Sequence, residues 1–372
     1  MKTFFNLVQE VQKPGLCCRC GGCAAFCTAI NYGALEIDKN GKPVYQDIEK
    51  CIECGLCYSI CPEINDLDDA TKLQAGWSDP MGRVIETNVV RASDIRVRDR
   101  ATDGGAVTGL LLHLFDRNRI DGAIVTRSVG KFQRQPFLAT TRKEILESAG
   151  LFFDTSQGMN RFSDQYMTFS TIDEFDPMIK KGLKRVALVG TPCQIKSLRK
   201  MQVLNLIPSD SIKFCFGLFC SGNFTFGIKE QQKLADIAGI SWDDVSRINL
   251  KDKFIITLNS GDIKTIELEK MESMKRYACH YCFDYSAEFA DISFGGIGAE
   301  EGWTTVITRT PLGRAVLADS RNFKSIEQYN VEDNPEFASR ALQDVRKASS
   351  VKKKKTRLKR RGLQAKSVQV KV

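Results

Sequence analysis

"CCRCGGCAAFC", residues 17–27, is answered at residues 51–62 by "CIECGLCYSICP". Cys17, Cys20, Cys23 and Cys27 keep the spacing C-x2-C-x2-C-x3-C, and Cys51, Cys54, Cys57 and Cys61 repeat it, with Pro62 after the last. A C-x2-C-x2-C run puts three thiolates on one tight turn, as a cubane iron–sulfur cluster requires. The fourth cysteine starts a short helix and crosses to the other cluster. The expected sets are therefore Cys17, Cys20, Cys23 and Cys61 for one [4Fe–4S], and Cys51, Cys54, Cys57 and Cys27 for the other. Gly21, Gly22 and Gly55 suit backbone that wraps closely around inorganic sulfide. "ALEIDKNGKPVYQD" between the motifs reads as a β-hairpin turning at Asn40-Gly41. Zinc knuckles are the competing reading, but they bring two C-x2-C pairs across a longer loop rather than four cysteines in eleven residues. Thr28 stands where Pro is usual, and Cys18 fits neither register and reads as a spare thiol. The spacing predicts a ferredoxin-like module that moves single electrons.

The chain has 372 residues and fourteen cysteines, nine of them in these two stretches. That length leaves room for two or three domains and a large core, so a disulfide framework is not needed to hold the fold. No apolar run reaches the ~18–20 residues of a membrane span, and "MKTFFNLVQE" does not read as a signal peptide. The expected location is cytoplasmic, where thiolates bind metal. The net charge of +9 resides in residues 351–372, which hold ten Lys or Arg and no acid. With no apolar periodicity, this segment reads as a flexible basic tail that docks on an anionic membrane face or an acidic partner. Nothing in the near-neutral remainder calls for nucleic acid.

Beyond Trp77 the pattern is α/β. "DGGAVTGLLLHLF" reads as a Gly-rich turn entering a helix over 106–117, followed by the strand "GAIVT". "VALVGTPCQIKSLRKM" reads as strand, turn, helix, and "IKFCFGLFC" as a strand buried on both faces. "FIITLNSGDIKTIEL" is a hairpin, "ADISFGG" and "TTVITRT" are strands, and "PLGRAVLAD" opens a helix with Pro in its first turn. The fold class expected is α/β (α+β): an N-terminal bacterial-type 2[4Fe–4S] ferredoxin domain and a mixed-sheet domain. The expected boundaries are 1–72, 73–345 and a tail over 346–372.

Cys193 follows a strand and opens a helix, whose positive end favours thiolate. Cys220 ends a strand at the edge where α/β folds build sites, and Cys279 and Cys282 form a C-x2-C knuckle. Four thiols at element ends amount to one more cluster, although each alone reads equally as an apolar core residue, a zinc ligand or a redox group. Cys215, inside its strand, reads as core. Gly104 and Gly105 before a helix N-terminus, with the Thr108 hydroxyl, could receive a phosphate; a flexible helix entry explains them as well. His113 reads as core, and His280 either tunes a cluster or is an exposed loop histidine.

"DGGAVTGLLL", "VGTPCQIKSLRK", "GLFCSGN" and "CHYCFDYSAEFADISFGGIGAEEGWTTVITRT" resemble the family of beta subunits of coenzyme F420 hydrogenases and dehydrogenases. With the N-terminal motif, the chain is most similar to the electron-input subunits of F420H2:phenazine and F420H2:quinone oxidoreductases. The resemblance implies an oxidoreductase with FAD and a third [4Fe–4S] at Cys193, Cys220, Cys279 and Cys282. It implies a flavin on Gly104, Gly105, Ala106, Val107, Thr108 and Gly109, with Trp303 and Thr304 beside it. Reduced coenzyme F420 would give a hydride, and electrons would pass singly to other subunits of a redox complex of the quinone/phenazine oxidoreductase, hydrogenase or heterodisulfide-reductase type. Phe152 stands where many members carry Lys, which leaves the hydride donor open. A ferredoxin-fed reductase of an organic substrate, as in the pigment reductases, and a non-catalytic electron-transfer adaptor remain the alternatives.

Overall fold

A computed structural model of the chain describes all residues except 30–31, 39–40, 131, 151–174, 207–208, 226, 252, 330–335 and 370–372, and omits the side chains of 133, 176 and 364–369. Phe152 therefore lies outside the described residues, as does Asn40 of the expected hairpin turn. The hairpin itself is present: β1 (Leu35–Ile37) pairs antiparallel with β2 (Pro43–Tyr45). It packs with Phe4, Leu7, Val11, Ala24 and Tyr58 into a small core around the cysteine loops.

The second region is built on one eight-stranded mixed sheet. Its strands are β3 (Glu86–Ala92), β4 (Gly122–Gly130), β5 (Gln133–Ala139), β6 (Val186–Gly190), β7 (Ile212–Leu218), β11 (Ile292–Gly295), β12 (Thr304–Thr308) and β13 (Ile326–Gln328). The spatial order is β13-β3-β12-β11-β7-β6-β4-β5. The centre, β11-β7-β6-β4, is parallel, and the strands on either flank are antiparallel. Central strands of a parallel sheet are covered on both faces. Val186, Ala187, Leu188, Cys215 and Phe216 are accordingly fully buried. A separate antiparallel sheet of β8 (Val245–Leu250), β9 (Lys253–Leu258) and β10 (Ile263–Glu267), in order β10-β9-β8, is inserted between β7 and β11.

The ferredoxin-like module seats on the helix Pro192–Val203. A Cβ at Gly22 would lie 2.1 Å from Ser197 Oγ, so only glycine allows this approach. Farther along the helix, the fully buried Lys200 donates to the carbonyls of Cys61 and Ile64 and pairs with Asp68 at 3.0 Å. Lys196 donates to Pro62 O at 3.0 Å and to Asp68 at 2.9 Å.

The expectation of a flexible tail over 346–372 is corrected. Residues Phe337–Gln369 form one helix. Its inward stripe is Ala341, Val345, Ser349, Lys352, Lys353 and Thr356, all buried, followed by the half-buried Arg360. After Val345 the stripe is polar, and Lys352, Lys353, Thr356 and Arg360 are matched by carbonyls and carboxylates of the body rather than by apolar side chains. Lys354, Lys355, Arg357 and Arg361 stay on the exposed face. Among the described residues no helix is long and apolar enough to cross a membrane.

Candidate active site

The four parallel strands end on one cavity of about 240 Å³. Val125 and Thr126 come from β4, Val189 to Thr191 from the end of β6, Leu218 to Asn223 from beyond β7, and Phe294 to Ile297 from the end of β11. The carboxyl edge of a parallel sheet is where α/β folds expose backbone and place ligands. The fourth side is the helix Ala106–Asp116, entered through Gly105 with φ at 74°. The inserted sheet supplies Asn249, Leu250 and Lys251 across the top. Lys251 pairs with Asp103 at 2.9 Å, both largely buried in the cavity wall.

Of the expected flavin residues, Gly105, Ala106, Val107, Thr108 and Thr304 line this cavity; Gly104, Gly109 and Trp303 do not. Gly104 lies behind the wall: its N–H donates to Thr304 Oγ1 at 3.0 Å, and a Cβ there would meet Val90 O at 2.8 Å. Gly109 faces Ala92, where a Cβ would come within 3.1 Å. Trp303 turns away, with the Arg91 guanidinium over its ring at 4.5 Å and Tyr329 at its edge. Even Gly105 serves the fold as much as a ligand. Its left-handed φ excludes most L-residues, and a Cβ would point 2.9 Å from Val97 Cγ1 in the core rather than into the cavity. Asp103, which opens the DGGAVTG stretch, lines the wall too, as do Lys251, Asn249 and Gln194, which no expectation named.

Cys220 is part of the cavity wall. Behind it lie Cys193, Cys279 and Cys282. Burial first, and then the charges of Cys279, Cys193 and Cys282, push the Cys220 thiol up to about 12, against the pull of Lys352. Cys282 rises to about 11 through burial and the same neighbours. Thr191 Oγ1 lies 3.3 Å from Cys193 Sγ, and the Asn223 N–H donates to Cys279 Sγ at 3.3 Å. Cavity-lining residues thus hold sulfur atoms of this group directly.

The N-terminal cysteines divide in the same way. Cys23 rises through burial and through Cys17 and Cys61, with a further push from Cys57. Cys57 rises to about 12 through burial and through Cys54, Cys27 and Cys51. Cys27 and Cys61 therefore cross between loops, and a cavity of about 30 Å³ is lined by Cys27, Cys51, Cys54 and Cys57. The two loops share a backbone form: Arg19 and Gly21, and then Glu53 and Gly55 at the equivalent places, all have positive φ. Cys18 is a bridge rather than a bystander. A hydrogen bond to Cys18 is the leading influence on Cys193 and one to Cys193 the leading influence on Cys18, whose other thiol partner is Cys20.

Among the described residues no three His, Cys, Asp or Glu side chains converge so as to hold a metal ion directly. A cubane asks for a wider set, because each thiolate ligates a different iron. Buried thiols that raise one another's pKa suit such a centre, since ligation by metal removes the proton outright. Of the remaining groups, Cys215 is core. His113 is buried, with Nδ1 2.9 Å from Ser325 Oγ and Nε2 2.9 Å from Asp319. His280 Nδ1 lies 2.9 Å from Lys359 Nζ and 3.2 Å from Glu272.

Lys352, from the long helix, closes the third cysteine group. It donates to Cys220 O at 2.7 Å and Asp284 O at 2.8 Å. Burial works against its charge, yet Cys282, Cys220 and Cys279 hold the ammonium above the usual lysine range. Thr356 donates to Cys282 O at 3.0 Å, and Arg360 donates to Tyr281 O and to Glu63 of the N-terminal module.

Comparisons with known proteins agree with this architecture. Residues 87–161 match the N-terminal model of the coenzyme F420 hydrogenase/dehydrogenase beta subunit, and residues 183–334 match its C-terminal model. Residues 9–62 match a 4Fe–4S dicluster domain, so the N-terminal module is an iron–sulfur dicluster domain. The beta subunit of the coenzyme F420 hydrogenase of Methanococcus voltae is 30% identical over 281 residues, 74% of this chain and 94% of that protein. An F(420)H(2) dehydrogenase subunit of Methanosarcina mazei is 24% identical over 316 residues, 82% of each. A chain in a xenon-derivatised structure of the F420-reducing [NiFe] hydrogenase complex from Methanosarcina barkeri superposes with a TM-score of 0.65 at 27% identity. The match covers 76% of this chain and 93% of that one.

Proposed function

The chain belongs to the family of coenzyme F420 hydrogenase/dehydrogenase beta subunits, and we propose that it oxidises reduced coenzyme F420 at FAD and passes electrons singly to a partner redox complex. FAD, when bound, accepts a hydride and releases electrons one at a time, the exchange that joins a deazaflavin to iron–sulfur centres. The chain supplies the cavity, its polarity and the exit. The amides opening the helix at Ala106, with the Thr108 hydroxyl, offer donors to a cofactor phosphate. Lys251, held by Asp103, supplies the one cation of the described cavity lining, the wall on which an anionic coenzyme would lean. Apolar walls from Leu111, Val125, Val189 and Leu218 exclude water from the reacting ring.

One observation carries the reading: Cys220 belongs at once to the cavity wall and to the group of Cys193, Cys279 and Cys282. Those four would hold a third [4Fe–4S] against the flavin, with the two N-terminal sets beyond it. Anaerobic protein should contain iron near roughly twelve atoms per chain, four per cubane, together with FAD. It should also bleach a one-electron dye with reduced F420. Dye reduction that needs a reduced ferredoxin or an organic substrate instead would replace this reading with the reductase one. A protein without flavin would be an adaptor.

A further inference from the structure

The third cysteine group has a charge beside it that, among the described residues, no carboxylate meets at ion-pair distance. The other buried or half-buried lysine and arginine side chains that reach the iron–sulfur region from the long helix and its neighbour each meet an acid. Lys353 pairs with Glu288 at 2.7 Å, Arg360 with Glu63 at 2.6 Å and Lys200 with Asp68 at 3.0 Å. Lys352 is buried, and among the described residues it has no carboxylate within ion-pair distance. Its acceptors are the carbonyls of Cys220 and Asp284. Those two bonds anchor the ammonium to two of the three chain segments around the group: the stretch after β7 and the one after the Cys279–Cys282 knuckle.

A buried ammonium with only carbonyl partners lacks a counter-charge. The anionic set of Cys282, Cys220 and Cys279, and beyond it the Asp284 carboxylate, are the counter-charges its surroundings offer. Resting on the third centre proposed above, we infer that Lys352 is a positioning residue that fixes a positive charge against that centre and so raises its reduction potential. One-electron reduction adds one negative charge to a cluster while no bond forms or breaks and Lys352 keeps its proton. A fixed cation in a low-dielectric setting favours the more negative state. The centre nearest the cavity thereby becomes a ready acceptor, and the long helix delivers the charge from outside the sheet. Lys275, whose chain packs on Gly222 near Cys279, is a second cation close by, but among the described residues no hydrogen bond ties its ammonium to the group.

The test is a potentiometric titration of the anaerobic full chain followed by electron paramagnetic resonance, with iron and flavin measured on each sample. Cys282→Ser identifies which wave belongs to the third centre. Lys352→Met should lower that midpoint by at least the equivalent of a tenfold change in electron-transfer equilibrium, about 59 mV for one electron. The other two waves should not move, and Lys352→Arg should restore most of the shift. Thr356→Val removes a hydrogen bond to the same knuckle without removing charge, and should leave the midpoint in place. An unmoved wave in Lys352→Met overturns the assignment, as does an equal drop in Lys352→Arg or Thr356→Val. If Lys352→Met sheds iron, Lys352→Gln is titrated in its place. Loss of the centre from both neutral variants with retention in Lys352→Arg would make Lys352 a structural brace and also overturn the inference. A parent protein with only two waves would instead remove the third centre itself.

Discussion

Deleting residues 351–372 should cost far more than loss of a solvated tail. The deletion removes the Lys352 bonds to Cys220 O and Asp284 O, the Thr356 bond to Cys282 O, and the Arg360 bonds to Tyr281 O and Glu63. Each contributes about 1 kcal/mol net, or about 1.5–3 where the donor is charged. Removing Lys353 also leaves the buried Glu288 without its 2.7 Å partner. The cost there is limited because Glu288, already pushed up to about 7 chiefly by burial, then takes a proton. The total is at least roughly 7 kcal/mol on these figures, a large part of the ~5–15 that holds a domain. At about 2–4 °C per kcal/mol for chains of 150–250 residues, and somewhat less for a longer one, the melting temperature should fall by about 10 °C. Most of the carbonyls that lose donors, those of Cys220, His280, Tyr281, Cys282 and Asp284, lie in or next to the third cysteine group. The truncated chain should therefore lose about a third of its iron, one cubane in three, before it loses flavin. The assay is differential scanning calorimetry with iron and flavin determination on anaerobic samples. A truncated protein that melts with the parent and keeps all its iron would refute the reasoning.

Three further outcomes are expected. Cys282→Ser should remove about a third of the iron, one cubane in three, while FAD remains; full iron content in that variant would deny the cysteine a ligand's role. Thr108→Phe should place a ring in the cavity and lower flavin content with the iron unchanged, and normal flavin would move the cofactor to another wall. Glu288, whose carboxyl is raised from 4.5 to about 7 by burial and then by Asp284, favours folding below 4.5 and loses that contribution as pH rises through 7. Glu288→Gln should therefore gain on the parent by on the order of 2–3 kcal/mol between pH 5 and pH 8, read as a widening difference in melting temperature; parallel melting curves at the two pH values would contradict it.

The N-terminal iron–sulfur region is legible because its cysteines are local. Three of every four lie within seven residues, and only Cys27 and Cys61 have to cross between loops. The third set has no such spacing, since Cys193 and Cys279 are far apart in sequence. Sequence says only that four thiols stand at element ends; the parallel sheet gathers those ends on one edge. The long helix escapes sequence reading for a definite reason. Amphipathic reading looks for apolar residues at helical spacing, and this inward stripe changes after Val345 to Ser349, Lys352, Thr356 and Arg360. The surface it covers is made of free carbonyls at loop ends, which call for donors rather than methyl groups. Gly104 and Trp303 depart from expectation in the opposite sense. Adjacency to a cofactor motif suggests contact with the ligand, whereas Gly104 lies behind the wall against Val90 and Trp303 stacks outward on Arg91.

The placement of the cysteines orders the centres by contact alone. Cys220 borders the cavity, and Cys193, in the same group, meets Cys18, which in turn meets Cys20. Cys23 feels Cys57 across the two N-terminal loops. Cys20, Cys23 and Cys27 are buried, whereas Cys51 and Cys54 are partly open and lie beside the exposed Ile48 and Ile52. A one-electron carrier that exchanges with another protein needs its last centre near the surface, because transfer weakens steeply with distance. On the proposed path, the set of Cys51, Cys54, Cys57 and Cys27, beside Ile48 and Ile52, would meet that requirement and serve as the exit, with the sheet domain as the entrance.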